Sequence, residues 1–521
     1  MQFNLADLYE ANADAFPDRL AVVSGATRMT FGQLDERATR LANHWAAQGV
    51  QAGDHIGLYL YNGHEYLECM LAAWKLRACT INVNYRYVAD ELRYVFDNAD
   101  LVGVIFEADL AGQVHEALTD RMHLRMVRGP GYEAALAAAS PERAFGPRSQ
   151  DDLVIIYTGG TTGMPRGVMW RHEDLFFAAL QGGNPGGVPI AEAAGLAPQM
   201  LENGDGLHIH PTPPLIHGNA QLASWIAIFN GGVAVLVPGR SFNPEATLDA
   251  CVAEQVHSIS IVGDAMALPL IATLEANPGR WDLTDCNVIA SAGAVLSANM
   301  VARLEELIPT MMVLNSFGAS ETGHQGTAFY EDGKAIWYMD ESHTVVLDAD
   351  LSPVEPGSEV VGMLARFGHI PLGYYKDQEK TDATFKTAPD GTRYVIPGDM
   401  AMVAEDDSVV FLGRGSVCIN TGGEKVYAEE VEETLKHHPR VFDAVVVGVP
   451  DDRWGQRVEA LITARGDEPV DAEDLVAFCR TRIAGYKVPR AIWVVADLNR
   501  QPSGKPDYRW GREMAIALGL S

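Results

Sequence analysis

The chain has 521 residues, too many for one ordinary core, which predicts a large domain with at least one smaller companion. Its 69 acidic against 39 basic residues leave a formal charge of -30, a field that repels nucleic acid and anionic lipid surfaces and excludes both as main partners. With 47% hydrophobic and 21% charged residues and no low-complexity tract, extended disorder is excluded too, and any polyanionic ligand must be met by locally gathered cations or a metal.

From the start, Met1-Gln2-Phe3-Asn4-Leu5 lacks a basic region followed by an apolar run, so no secretory signal is expected and the protein is placed in the cytoplasm. The six cysteines, Cys69, Cys79, Cys251, Cys286, Cys418 and Cys479, show no C-x-x-C pair and are expected to be reduced thiols. Helix-length amphipathic segments around 42–45 and 66–75 flank the apolar run 55–61. This alternation predicts an α/β fold with buried parallel strands, doubly wound. The uncharged stretch 217–237 has about the length that spans a bilayer, roughly 20 residues. Asn230-Gly231-Gly232 cuts it into a helical half, 222–229, and a strand, 233–237, so it is assigned to the core.

Near residue 400 the character changes. Segments 401–404 and 409–412 flank the acidic turn Glu405-Asp406-Asp407 and are followed by Gly413-Arg414-Gly415-Ser416. A hairpin and a glycine-flanked joint suit a domain boundary. Residues 1–412 are therefore assigned to a large multi-layer domain with parallel-rich sheets. Residues 413–521 are assigned to a small mobile α+β domain, with helices at 429–437 and 475–483 and strands at 444–449 and 491–495.

The strongest chemical signal is the run Tyr157-Thr158-Gly159-Gly160-Thr161-Thr162-Gly163-Met164-Pro165-Arg166-Gly167-Val168, directly after an apolar strand at 153–156. Its glycines and threonines offer backbone N–H groups and hydroxyls to a polyphosphate, and Arg166 adds a guanidinium. The G-x-x-x-x-G-K-[ST] spacing of a Walker loop is absent, which removes support for ordinary kinase or motor chemistry.

This loop resembles the phosphate loop of the acyl-adenylate-forming superfamily of AMP-binding enzymes, which includes acyl-CoA synthetases, adenylation domains of peptide synthetases and firefly luciferase. Further matching segments follow in order: Ser291-Ala292-Gly293-Ala294, Ser316-Phe317-Gly318-Ala319-Ser320-Glu321-Thr322, Ile396-Pro397-Gly398-Asp399, Gly413-Arg414 and Pro502-Ser503-Gly504-Lys505. The strings 158–174, 413–417 and 505–510 are most similar to actinobacterial fatty-acyl and steroid side-chain CoA ligases. The resemblance implies conversion of ATP, an apolar carboxylic acid and coenzyme A to acyl-CoA, AMP and pyrophosphate through an acyl adenylate.

It also implies roles. Thr158, Gly159, Gly160, Thr161, Thr162, Gly163 and Arg166 would hold the phosphates, and Glu321 would hold Mg2+. Ser291, Ala292, Gly293, Ser316, Gly318 and Ser320 would line the nucleotide site, with Phe317 stacked on adenine. Asp399 would accept from the ribose hydroxyls and Arg414 would donate to them. Lys505 would bridge the substrate carboxylate and the α-phosphate, and His217, in Pro213-Pro214-Leu215-Ile216-His217-Gly218, would gate the acyl site. Rotation of the small domain about Ser416 would exchange Lys505 for the face carrying Gly422-Gly423-Glu424-Lys425, where the pantetheine arm approaches. Trp225, Asp264, Ala265 and Met266 stand equally as pocket lining or as core.

Departures from the family pattern are Arg166 for Lys, Gly159 for Ser, Phe317 for Tyr, Ser320 for Thr, and Ser416 for the usual Asp or Lys. Charge and stacking capacity survive them; the hinge assignment is the weakest. Two other readings compete: a ligase that loads a carrier protein supplied in trans, and a non-catalytic protein that binds nucleotide or acyl chains. No transmembrane segment is expected, whereas peripheral membrane contact and homo-oligomerisation stay open.

Overall fold

The computed structural model describes residues 1–158, 164–294, 296–331, 334–340, 342–414, 418–421, 424–451, 454–466, 469–483, 485–500 and 505–519. The α/β expectation holds from the first strands. His55–Tyr59, Cys79–Asn82, Leu101–Phe106 and Leu124–Val127 form an all-parallel sheet, with His55–Tyr59 between the second and third of these. Helices His64–Leu76 and Ala89–Asn98 provide crossovers. These strands are buried along their length where the sequence is apolar throughout, as two covered faces require.

A second sheet of fifteen strands among the described residues has a parallel centre: Leu20–Ser24, Val233–Leu236, His208–Pro211, Ser258–Ile261, Val288–Ala292 and Met312–Ala319, in that spatial order. From Gly323–Glu331 onward it departs from a doubly wound plan, because the strands that follow pair antiparallel. The reason is connection length. A parallel neighbour needs a crossover of a dozen or more residues, whereas Met312–Ala319 and Gly323–Glu331, and likewise Asp399–Val403 and Val409–Arg414, are joined by short connections. The hairpin expected around the acidic turn is present as Asp399–Val403 against Val409–Arg414. Asp407 takes the left-handed conformation at its tip (φ 65°).

The uncharged segment is core, as expected, but its helix begins earlier and runs over Gly218–Phe229 before the strand Val233–Leu236. Among the described residues no helix is long and apolar enough to cross a membrane. Trp225 belongs to this core and not to a pocket wall. It is 1% exposed, its ring lies 4.5 Å from that of Trp74, and its indole N–H points to the Met70 sulfur at 3.4 Å.

Beyond the large sheet, Ile419–Thr421, Glu424–Val426, Val441–Asp451, Gly455–Ala464 and Ala491–Val494 form a separate five-stranded sheet. Helices Ala428–Lys436, Ala472–Arg480 and Tyr508–Gly519 accompany it. All four elements expected here from sequence are found, within a few residues at each end. The chain leaves the large sheet at Arg414 and enters the small one at Ile419; Ser416 lies outside the described residues. At this exit Gly413 has φ 98°, and a side chain there would overlap the Glu429 carboxylate, so glycine is required on both conformational and steric grounds. The two parts also touch directly, the Asn299 amide donating to the Lys436 carbonyl at 2.9 Å.

Candidate active site

Strand Leu153–Thr158 returns antiparallel as Arg166–Arg171, with Thr158 opposite Arg166. Thr158 and Arg166, at the two ends of the glycine-rich run, are therefore held opposite each other by ladder pairing. Gly159, Gly160, Thr161, Thr162 and Gly163 lie outside the described residues. At the hairpin's base the Arg166 Nε donates to Asp377 at 2.8 Å. Asp377 is itself anchored as the N-cap of helix Gln378–Thr384, where it accepts from the Lys380 N–H. A guanidinium has five donors in a rigid fork, so this ion pair orients Arg166 beside the loop.

The same small sheet clasps the next motif. Gly373–Tyr374 pairs with Met169 and Val168, and the Tyr374 hydroxyl donates to the Glu321 carboxylate at 2.9 Å. From the other strand, the Trp170 indole N–H donates to the Ser320 carbonyl at 2.9 Å. Glu321 thus sits on a turn between Met312–Ala319 and Gly323–Glu331 that is fastened to the phosphate hairpin. The turn itself is closed by the Ala319 N–H donating to the Thr322 hydroxyl at 2.9 Å. A side chain at Gly318 would overlap the Gly323 carbonyl oxygen, which explains glycine at this bend. Burial and the adjacent Glu321 charge both push the Tyr374 phenol upward, so it remains a donor at neutral pH.

On the strand leading into that turn, Ser316 lies opposite Ala292 and Thr327, and Phe317 opposite Gly326. The Phe317 ring packs against Phe411 and Trp337, with centroids 4.9 and 5.8 Å away. Ser291 is fully buried, and its hydroxyl oxygen accepts from the Gly263 N–H at 3.0 Å. That hydroxyl fastens helix Gly263–Ala276 to the strand, beyond which Ala292 is half-buried and Gly293 exposed. Around Gly293 the space a side chain would occupy is open except for Val262 at 4.0 Å. Asp264 likewise serves the fold, accepting from the Ser297 N–H at 2.7 Å. Met266 packs against the Thr212 hydroxyl at 3.3 Å.

His217 is the N-cap of Gly218–Phe229. A side chain on Gly218 would stand 3.6 Å from Ile156 and 3.9 Å from the Ser320 hydroxyl, so this helix start lies against both the phosphate strand and the Glu321 turn. The His217 Nε2 is buried without a hydrogen-bond partner among the described residues. Burial, then the charges of Arg86 and Lys505, hold its pKa down at about 4. The imidazole is neutral at pH 7, and Lys505 is close enough to act on it. The half-buried Lys505, from the far end of the chain, is thus a neighbouring charge of His217.

Asp399 is 3% exposed and directly opposite Arg414 across the hairpin. Arg414 and Lys425 are described through their backbone alone, Lys425 within Glu424–Val426; Gly422 and Gly423 lie outside the described residues.

Residues 9–375 match the model of the AMP-binding enzyme family, and residues 430–505 match that of the AMP-binding enzyme C-terminal domain. The chain belongs to the AMP-binding enzyme family. A medium/long-chain-fatty-acid–CoA/3-oxocholest-4-en-26-oate–CoA ligase of Mycolicibacterium smegmatis is 46% identical, the alignment covering 99% of this chain and 97% of that protein. A 3-oxocholest-4-en-26-oate–CoA ligase of Rhodococcus rhodochrous is 47% identical over 98% of this chain and 96% of the relative. The fold of ATP-bound MatB from Rhodopseudomonas palustris superposes with a TM-score of 0.82 at 24% identity, covering 99% of this chain and 100% of that one.

For an AMP-binding enzyme, the arrangement includes residues that sequence motifs did not single out. Tyr374, Trp170 and Asp377 hold the Glu321 turn and Arg166 in place, and Arg86 is a second cation acting on His217. The positions of Tyr374 and Asp377 depend on pairing across more than 200 residues, which no local spacing reveals.

The donor set also fits Mg2+. Among the described residues no group of three or more His, Cys, Asp or Glu stands ready to hold a metal, and Glu321 offers one hard carboxylate. Mg2+ is commonly held by one or two carboxylates, with waters and substrate phosphates completing its octahedron.

Proposed function

We propose that this enzyme is an ATP-dependent, AMP-forming acyl-CoA ligase acting on medium- to long-chain fatty acids or on steroid side-chain acids. What supports the reading is the packing of the helix start at His217 and Gly218 against the strand that ends at Thr158 and against the Glu321 turn, with the Lys505 charge acting on His217. Two near-full-length relatives named as CoA ligases for such acids support the substrate class. The neutral, buried His217 and the apolar helix behind it suit an uncharged acyl chain better than an amino acid.

The first half-reaction brings a carboxylate to the α-phosphorus of ATP, so two anions must be held together. Lys505 supplies a flexible ammonium between them and stabilises the charge that develops there. Arg166, steadied by Asp377, faces the outer phosphates that leave as pyrophosphate. Mg2+, when bound at Glu321, neutralises phosphate charge. Phe317, backed by Phe411 and Trp337, presents an aromatic surface to adenine, and Asp399 accepts from the ribose hydroxyls.

In the second half-reaction the thiol of coenzyme A attacks the acyl carbonyl and AMP leaves. We place the boundary between the two working parts at 412/413, with Ser416 in the joint and Gly422, Gly423 and Lys425 on the face presented to pantetheine. We assign the enzyme to the cytoplasm, where its cysteines stay reduced.

The test is product analysis on a panel of medium-chain, long-chain, aromatic and steroid side-chain acids with ATP and Mg2+, with and without coenzyme A. Acyl-CoA, AMP and pyrophosphate from fatty or steroid acids are expected. Adenylate without thioester would point to a carrier-protein acceptor, and no turnover on any acid would overturn the reading.

A further inference from the structure

We propose that Asn82 is a positioning residue for adenylation, its carboxamide setting the spacing between the phosphate hairpin and the segment that carries His217. This rests on the adenylating function proposed above. Asn82 is the last residue of Cys79–Asn82, at the edge of the four-stranded parallel sheet, and is buried. Its Oδ1 accepts from the Tyr157 N–H at 2.8 Å, while its Nδ2 donates to the Tyr157 carbonyl at 2.8 Å and to the Ile216 carbonyl at 2.7 Å.

Tyr157 lies on the outer strand of the three-stranded sheet, whose free side has no strand partner among the described residues. The Asn82 amide takes that place, offering acceptor and donor as a neighbouring strand would. Its third bond then reaches the residue directly before His217. Tyr157 in turn directly precedes Thr158 and the loop. One planar group thus fixes the distance between the groups that must hold the triphosphate and the carboxylate.

The 213–216 segment forms no helix or strand of its own, and carboxamides supply partners to the backbone of Pro213, Leu215 and Ile216. Asn62 accepts from the Leu215 N–H at 2.8 Å and donates to the Pro213 carbonyl at 3.4 Å. Gln221 donates to the Leu215 carbonyl at 2.8 Å. Asn62 and Gln221 bind this segment to its own surroundings, whereas Asn82 alone of the three also bonds to the phosphate strand. Only a short side chain with one acceptor and two donors on an sp2 centre makes all three of its bonds.

Asn82→Asp keeps the shape and the bond from the Tyr157 N–H but loses both donors and turns an anionic oxygen toward two carbonyls. A displacement of about 1 Å between reacting groups costs on the order of 100-fold in rate. The full-length variant should therefore lose about that much kcat in acid-dependent pyrophosphate release, while thioester formation from supplied acyl adenylate and coenzyme A stays within about threefold of wild type. Asn82→Ala, read in the same two assays, should show the same split without the added charge.

Equal loss of both half-reactions, or unchanged adenylation, would overturn the proposal, as would failure of both variants to fold, since Asn82 would then serve folding alone. Wild type measured alongside separates the two claims: if it makes no adenylate the functional reading fails, and if it is active with no split in the variants the positioning role fails.

Discussion

Replacing Lys505 by alanine should reduce acyl-adenylate formation on the order of 1000-fold, the scale of losing one donor aimed at developing charge in a dry site. The same protein should still convert supplied acyl adenylate and coenzyme A to thioester at close to the wild-type rate. The asymmetry follows from where Lys505 lies. It belongs to the tail beyond the five-stranded sheet, yet its charge acts on His217 of the large part. In this arrangement it serves the step in which carboxylate and phosphate meet. When the thiol attacks, the anionic pair has already become one mixed anhydride, and the ammonium has nothing further to bridge. Rapid-quench measurement of adenylate, beside a thioester assay started from synthetic adenylate, separates the two steps. Equal losses would contradict the division of labour between the two faces of the C-terminal part.

Glu321→Gln should raise the Mg2+ concentration needed for half-maximal adenylation on the order of 10- to 100-fold, since even the groups that merely orient metal ligands have effects of this size. Glutamine still accepts from the Tyr374 hydroxyl, which lies 2.9 Å from the carboxylate in the native chain, so the turn stays fastened while the charge is lost. In this account the remaining ligands are phosphate and water, so the loss of the Glu321 charge falls directly on Mg2+ affinity. A Mg2+ titration of pyrophosphate release reads this directly. An unchanged midpoint would remove Glu321 from the metal site.

Sequence patterns were most informative where structure is local. The hairpin around Glu405-Asp406-Asp407, helices Ala428–Lys436 and Ala472–Arg480 and strands Val441–Asp451 and Ala491–Val494 could be read from periodicity and turn residues, whereas strand Gly455–Ala464 and helix Tyr508–Gly519 were not. The extent of helix Gly218–Phe229 was harder. Its first turn is Gly218-Asn219-Ala220, and His217 makes no side-chain capping bond, so no start signal precedes the apolar run. Antiparallel growth of the large sheet after residue 323 is a choice of partner, and alternating burial on a strand does not say which neighbour it will pair with.

At the site, the motif residues were visible because glycines, threonines and isolated charges stand out against apolar strands. Their supports did not stand out. Trp225 and Tyr374 are both aromatic residues in mainly apolar surroundings, yet one closes a core against Trp74 and the other holds a carboxylate. The amide of Asn82 was the most legible of the missed residues. A polar side chain ending the buried run Cys79-Thr80-Ile81 must find partners, although only the fold shows that these are Tyr157 and Ile216.

The central claim is that the acid attacks the α-phosphorus to give an acyl adenylate that coenzyme A then opens. Its most direct test is a turnover with a fatty or steroid side-chain acid labelled with 18O in both carboxyl oxygens, followed by mass analysis of all phosphorus-containing products. One labelled oxygen should appear in AMP and one should remain in the thioester carbonyl, with none in pyrophosphate. Unlabelled AMP, or label in a phosphate released from the outer positions, would contradict the account.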